Sequence, residues 1–255
     1  MAEYFLPSAN FRPPETEERG TVIFCSGGKI LIQEDVIPPE RALYIGELSG
    51  QSCFAADINS VPDCMETTSL RDIISGFTMP QRQAVCRAGI IAHWHRQHHV
   101  CGICGAPLTT GDSDESLLCS ACLNVYFPQI APAVIVAVEK DGRILLARNA
   151  RNRNGMFGLV AGFVSAGESL EDAVRRELAE EVAIEVDNIT YKGSQAWPFP
   201  NSLMAGFSAR WRSGEVRPDG KEIVEAGFFT PDNFPVIPGK GSIARKLIDE
   251  FLQRS

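Results

Sequence analysis

The chain lacks any apolar run long enough to span a bilayer, which excludes a transmembrane helix. Its first twenty residues, MAEYFLPSANFRPPETEERG, lack a basic segment followed by an apolar one. No secretory leader is therefore read there, and the expected compartment is cytoplasmic. Cations are scarce. Lys and Arg number 24 against 32 Asp and Glu, a net charge of −8, which argues against a broadly basic nucleic-acid-binding surface while leaving room for a local patch. No internal repeat or low-complexity tract is present. What remains is ample: 255 residues with 44% hydrophobic content can bury a full core and divide into two or three units.

Eight cysteines without a leader read as metal ligands plus buried thiols, not as disulfides. Cys101 and Cys104 form one CxxC pair, and Cys119 and Cys122 form a second, with fourteen residues between the pairs. That spacing predicts a zinc ribbon: two thiolates on each tight turn let four sulfurs close a tetrahedron around Zn2+. Gly102 and Gly105 give the first turn its freedom. A closed four-sulfur shell makes this zinc structural. Cys25, Cys53, Cys64 and Cys86 share no such spacing and read as small buried hydrophobes. His93, His95, His98 and His99 sit on or just after an amphipathic segment from Pro80 to Gln97, and read as surface imidazoles, with a second metal site as the alternative.

The pattern divides the chain at 1–99, a β-rich domain ending in a linker helix; 100–127, the ribbon; and 128–255, a mixed α/β domain. TVIFCSGGKILIQ turns at Gly27-Gly28, and RALYIGELSGQSCFAADI turns at Ser49-Gly50, each between apolar-alternating runs. APAVIVAVEKDGRILLARNA is a hairpin with Asp141-Gly142 at its turn. Strands follow near 184–193, 203–212 and 223–229, and GSIARKLIDEFLQRS closes the chain as a helix capped by Ser242. Mixed strands with two helices predict an α/β/α sandwich.

The most informative stretch is GFVSAGESLEDAVRRELAEEVAI, Gly162 to Ile184. Leu170, Ala173, Val174, Leu178 and Val182 form an apolar stripe at helical spacing. Glu177 then lies a turn from Glu181 and nearly a turn from Glu180, gathering three carboxylates on adjoining faces. Such a cluster suits a hard cation, since Mg2+ is held by a few carboxylates plus substrate phosphate oxygens; the plain alternative is a solvated acidic helix. The full pattern, G-x5-E-x7-R-E-L-x-E-E-x-A-I, resembles the signature of the Nudix hydrolase family. The resemblance implies a Nudix α/β/α sandwich, here preceded by the β-rich domain and the ribbon. One position departs: Ala183 stands where the family usually has Gly, and at positive φ it would cost about 1–2 kcal/mol.

Downstream, Ser194 to Ser202 reads SQAWPFPNS, similar to the SQPWPFPxS motif of the NADH pyrophosphatase branch, with Ala196 in place of Pro. The ribbon and β-rich unit also match that branch. The physical sense of the loop is dinucleotide recognition. Pro198 and Pro200 reduce its freedom, Trp197 and Phe199 offer flat faces, and Gln195, Asn201 and Ser202 offer hydrogen bonds. The resemblance further implies ring stacking by Phe127 and Phe163, and substrate contacts at Arg71, Glu222 and Ala244. Glu177 and Glu181 are the first metal ligands, with Glu180 in a shared or base role. Similarity adds Glu222 and the Ala161 carbonyl to the Mg2+ or Mn2+ site, and an internal Glu168–Arg176 pair.

The implied reaction splits NAD(H) into NMN(H) and AMP. The same bond occurs in NAD-capped RNA, which this branch also includes among its substrates. Arg151, Arg153 and Arg71 are candidates for holding RNA phosphates, with a solvated surface as their alternative. The motifs leave free cofactor and capped RNA both open. The competing readings are a Nudix hydrolase for ADP-ribose or diadenosine polyphosphates, and a catalytically retired nucleotide sensor or RNA-binding module. A homodimer is expected from the resemblance alone.

Overall fold

The computed structural model describes residues 3–8, 14–57, 66–111, 115–152 and 154–254, the side chains of Asp72 and Ile73 excepted. Cys64 and Arg153 lie outside the described residues. The chain forms two compact units, Met1–Ile130 with Ala196–Asn201, and Ala131–Gln195 with Ser202–Ser255. No helix among the described residues is long and apolar enough to cross a membrane.

In the first unit, β1 (Phe5–Pro7), β2 (Gly20–Ser26), β3 (Lys29–Val36), β4 (Leu43–Leu48), β5 (Gln51–Asp57) and β6 (Thr68–Ser69) form one sheet in the order β1-β4-β5-β2-β3-β6. Two hairpins build it. Gly27 and Gly28 turn at φ 57° and 80°, and Ser49 and Gly50 at 52° and 84°, all in the left-handed region that tight hairpin turns require. The hairpins are joined by parallel pairing of β2 with β5, Thr21↔Cys53 through Cys25↔Asp57. A short helix, α1 (Leu70–Ile73), leads to α2 (Met79–Gln97).

Helix α2 starts on a capping box, with the Gln81 N–H donating to Thr78 Oγ1 and the Thr78 N–H to Gln81 Oε1. Its buried face carries Ala84, Ala88 and Ala92 at four-residue spacing, small enough to seat the helix close on Ile23, Cys25, Ile45, Cys53 and Ala55 of the sheet. Cys25, Cys53 and Cys86 are core residues, and burial pushes each thiol up to about 12. The surface reading of His95 is corrected: its ring packs edge-on against Trp94 at 4.9 Å, and burial lowers its pKa to about 4. A three-stranded ribbon follows, β7 (Leu108–Thr110), β8 (Leu117–Cys119) and β9 (Val125–Tyr126).

The second unit holds β10 (Ala131–Lys140), β11 (Arg143–Asn149), β12 (Val160–Phe163), α3 (Leu170–Val182), β13 (Glu185–Trp197, its last two residues belonging to the first unit), β14 (Ser202–Ser213), β15 (Ile223–Phe229) and α4 (Ile243–Leu252). The sheet order is β13-β14-β10-β11-β15, with β12 also paired to β10. Strand periodicity makes the layers. Val134, Val136 and Val138 face Ala173, Val174, Leu178 and Val182 of α3. Ile135 and Ala137 face the other way, toward Ile243, Leu247, Ile248 and Phe251 of α4. One helix per face gives the expected α/β/α sandwich. Ser242 caps α4 by accepting from the Arg245 N–H.

Candidate active site

Helix α3 sets the second unit's site. Ser169 caps it, its Oγ accepting from the Asp172 N–H at 3.1 Å, and Glu171 and Asp172 complement the dipole in the first turn. With the apolar stripe anchored, Arg176 fans its donors across the acidic side. Its Nε and Nη2 grip Glu168 at 2.8 and 2.9 Å, Nη2 also reaches the Phe163 carbonyl at 2.8 Å, and Nη1 reaches Glu177 at 2.8 Å and Glu180 at 3.0 Å. Glu168 accepts in addition from the Ser165 N–H, so one forked ion pair ties the 163–168 loop to the helix. The Arg176 bonds, foremost among the causes, hold the Glu168 carboxyl below its ordinary range.

Glu177 and Glu181 are buried. Gly162 of β12 makes room for the first, since a β-carbon at Gly162 would lie 1.9 Å from the Glu177 carboxyl carbon. Glu181 Oε2 is buried with no hydrogen-bond partner. Burial, then the nearby charges of Glu177, Glu222, Asp219 and Glu180, raises the Glu181 pKa to about 7. A carboxylate with one oxygen buried and unpartnered, near other acids, fits a divalent cation, which supplies the missing partner and the missing positive charge. Among the described residues no three of these carboxylates come within 4.8 Å of one another, and Arg176 Nη1 donates to both Glu177 and Glu180.

Asp219 is the residue that the sequence reading missed. Its carboxylate accepts from the backbone N–H groups of Lys221, Glu222 and Ile223, fixing the turn that carries Glu222 into β15. Its own N–H donates to the Glu181 carbonyl. The signal was present as Asp219-Gly220, a turn dipeptide whose aspartate caps the next three residues. Ala161 sits in β12 opposite Ile135, and it packs with Ala244 of α4 against one core cluster. Phe163 is 59% exposed, a free ring beside the acidic helix. Gln195 is engaged elsewhere: its amide donates to the Gly241 carbonyl and accepts from the Ile243 N–H, bracing the start of α4. Ser202 is buried at the start of β14, and Arg151 is exposed.

In the first unit, the loop Ala196–Asn201 brings three expected residues together. Trp197 and Phe199 meet edge to face at 5.0 Å, and the Arg71 guanidinium lies 4.6 Å from the Phe199 ring centre and 5.9 Å from that of Trp197. Phe199-Pro200 is a cis peptide, and Asn201 donates to the Gln129 carbonyl at 2.8 Å. Glycines admit the loop: a β-carbon at Gly89 would meet Pro198 at 3.1 Å. Ala196 packs on the core, its carbonyl 3.6 Å from Cys86 Sγ.

Cys101, Cys104, Cys119 and Cys122 are free thiols whose sulfurs all lie within 4.8 Å of one another, which fits one tetrahedral zinc. Gly105 and Leu123 close the two knuckles at φ 75° and 60°. The Tyr126 hydroxyl lies 3.2 Å from Cys101 Sγ and accepts from the Gly102 N–H, pulling the Cys101 thiol below its ordinary pKa. Phe127, the next residue, is 56% exposed.

Residues 128–251 match the NUDIX domain. The NAD-capped RNA hydrolase NudC of Escherichia coli O81 (strain ED1a) is 41% identical over 211 residues, which is 83% of this chain and 80% of that protein. The NAD-capped RNA hydrolase NudC of Salmonella typhi gives the same identity and coverage. A NUDIX hydrolase structure from Nitrosomonas europaea shares the fold at a TM-score of 0.52, with 21% identity over 61% of this chain and 90% of its own. An acidic helix seated on a glycine-floored strand and a four-thiol ribbon thus occur here in a chain that matches such relatives over most of its length, and the chain belongs to the Nudix hydrolase family, in the branch that holds NudC.

Proposed function

We propose that this chain is a metal-dependent pyrophosphohydrolase that adds water across the diphosphate of NAD(H), giving NMN(H) and AMP, and that removes NAD from the 5′ ends of RNA. The carrying observation is the 41% identity to an NAD-capped RNA hydrolase in a chain that keeps Glu168, Glu177, Glu180 and Glu181.

Glu177, Glu181 and Glu222, with Glu180 and the Ala161 carbonyl, would hold Mg2+ or Mn2+. When bound, the cation neutralises phosphate charge and lowers the pKa of water. The protein's own part is placement. Arg176 fixes Glu177 and Glu180 by charge-assisted bonds, and Glu168 fixes Arg176. Asp219 sets the turn that presents Glu222. Glu180, 61% exposed at its side chain, would take a proton from water in the base role. Trp197 and Phe199, backed by Arg71, offer rigid faces for the dinucleotide's rings, as does Phe163. A zinc held by Cys101, Cys104, Cys119 and Cys122 stabilises the ribbon that leads to Phe127. The three-part division at 99/100 and 127/128, a cytoplasmic location and a homodimer complete this reading. Sedimentation at micromolar concentration giving only a 27.9 kDa species would remove the dimer.

The test is product analysis with NADH and Mg2+ or Mn2+, beside a Glu177→Gln control and an ADP-ribose arm. AMP and NMNH from the wild type, absent in the variant, support the reading. Turnover of ADP-ribose alone, or of neither substrate in zinc-loaded protein, overturns it.

A further inference from the structure

The first unit contains two adjoining cavities whose charge runs against that of the chain. One, of about 410 Å³, has Phe199 and Pro200 as a wall and Lys29, His93 and Arg96 around it. The other, of about 780 Å³, is lined by Arg96 again, then Arg41, His98, His99 and Thr110 of the ribbon's first strand. Arg96 lines both, so the cavities adjoin at this residue. All four histidines of the chain line one or the other, beside three fixed cations and a single carboxylate, Asp57. In a chain with 32 acidic and 24 basic residues, that is a local reversal of sign. Asp57 pairs with Arg96 at 3.3 Å, and no carboxylate among the described residues pairs with Lys29 or Arg41, both exposed.

We propose that these cavities form a track for the single-stranded RNA that follows the NAD cap, running from the Phe199 wall past Arg96 to Arg41 and the ribbon. A cationic groove that follows the backbone, beside an aromatic ring on which a base can stack, is the physical form of single-strand binding. Here the ring belongs to the loop assigned above to dinucleotide recognition, so the track begins where the cap is held. It takes phosphodiesters in series, with His93, His98, His99 and Thr110 as hydrogen-bonding partners for phosphate and ribose oxygens. The inference rests on the cap-removing activity proposed above for its biological sense, but the binding surface stands on its own lining.

The experiment uses the zinc-loaded full chain and its double variant Lys29→Gln/Arg41→Gln, changed at two exposed side chains outside the machinery assigned above. Binding of an uncapped 5′-monophosphate RNA of about 12 nucleotides is followed by fluorescence anisotropy across a salt series. Expected is a Kd about tenfold weaker in the variant, with the slope of log K against log salt shallower by about 1.4, or 0.7 for each phosphate lost. On NAD-capped RNA kcat/KM falls about tenfold, while on NADH it is unchanged. Arg41→Glu alone, at the far end, shifts binding in the same direction. Equal affinity and equal slope in wild type and variant overturn the track, and so does an equal loss on NADH. Competition by inorganic phosphate or a mononucleotide as effective as the 12-mer also overturns it, because one anion pocket then accounts for the binding. A wild type that binds the strand through Lys29 and Arg41 but cleaves neither NADH nor capped RNA leaves the track standing and removes the activity.

Discussion

Gly162 and Glu177 occupy one space: the glycine's missing β-carbon is where the buried carboxyl sits, 1.9 Å from the carboxyl carbon. Gly162 has no positive φ, so alanine fits its backbone, and the nearest atoms it would displace are those of the Glu177 carboxyl. Gly162→Ala is therefore expected to lower kcat on NADH by about two orders of magnitude, the scale of a misplaced catalytic group. Circular dichroism should stay close to wild type. A variant with the wild-type rate would show that Glu177 acts from another position.

Ala183 ends α3 in the left-handed region, at φ 58° and ψ 35°. This is the strain anticipated for an alanine at a family glycine, and α3 forms regardless because Ala173, Val174, Leu178 and Val182 bury its apolar stripe. Ala183→Gly removes about 1–2 kcal/mol of strain and returns about 0.4–1 kcal/mol to the unfolded chain's entropy. Urea unfolding is expected to show a net gain of about 0.5–1 kcal/mol with hydrolysis unchanged. A loss of stability would mean that the strain is relieved elsewhere in the native state.

Local signals were the legible ones. Hairpins at Gly27-Gly28 and Asp141-Gly142 follow from residues that accept positive φ, and the ribbon follows from CxxC spacing alone. The stripes of α3 and α4 and the Ser242 cap are likewise written within a few residues of where they act. Non-local facts were not legible. The parallel pairings of β2 with β5 and of β10 with β14 join strands distant in sequence, and no local pattern specifies them. The burial of Glu181 and the bracing of α4 by Gln195 depend on what other segments bring near. Ala196–Asn201 reads as part of the C-terminal domain by position, yet it belongs with the first unit, because Gly89, Arg71 and Cys86 receive it there.

His95 should make the first unit acid-sensitive. Burial lowers its pKa from 6.5 to about 4, so between these values the unfolded chain binds a proton that the folded chain does not. Stability is then fully present above pH 6.5 and is lost as pH falls toward 4, by roughly 2–3 kcal/mol over the window. Denaturant midpoints at pH 7 and pH 5.5 should differ in this direction. His95→Phe should flatten the difference. An unchanged slope in the variant would assign the acid sensitivity to the ribbon.

Tyr126 supports the four-thiol cluster from outside the set of candidate ligands. Its hydroxyl lies 3.2 Å from Cys101 Sγ and is itself fixed by the Gly102 N–H at 2.9 Å, so the phenol is oriented before metal arrives. A donor at that position favours thiolate over thiol, which lowers the cost of displacing the Cys101 proton with Zn2+. Tyr126→Phe keeps the ring and deletes the donor. Its zinc affinity, read by competition with a chromophoric chelator at neutral pH, is expected to fall about 10–100-fold, as for other partners that support metal ligands without touching the metal. The fall should shrink at higher pH, where protons no longer compete for Cys101. A pH-independent loss would mean that Tyr126 acts through the shape of the knuckle, and an unchanged affinity that the Gly102 contact alone is its purpose.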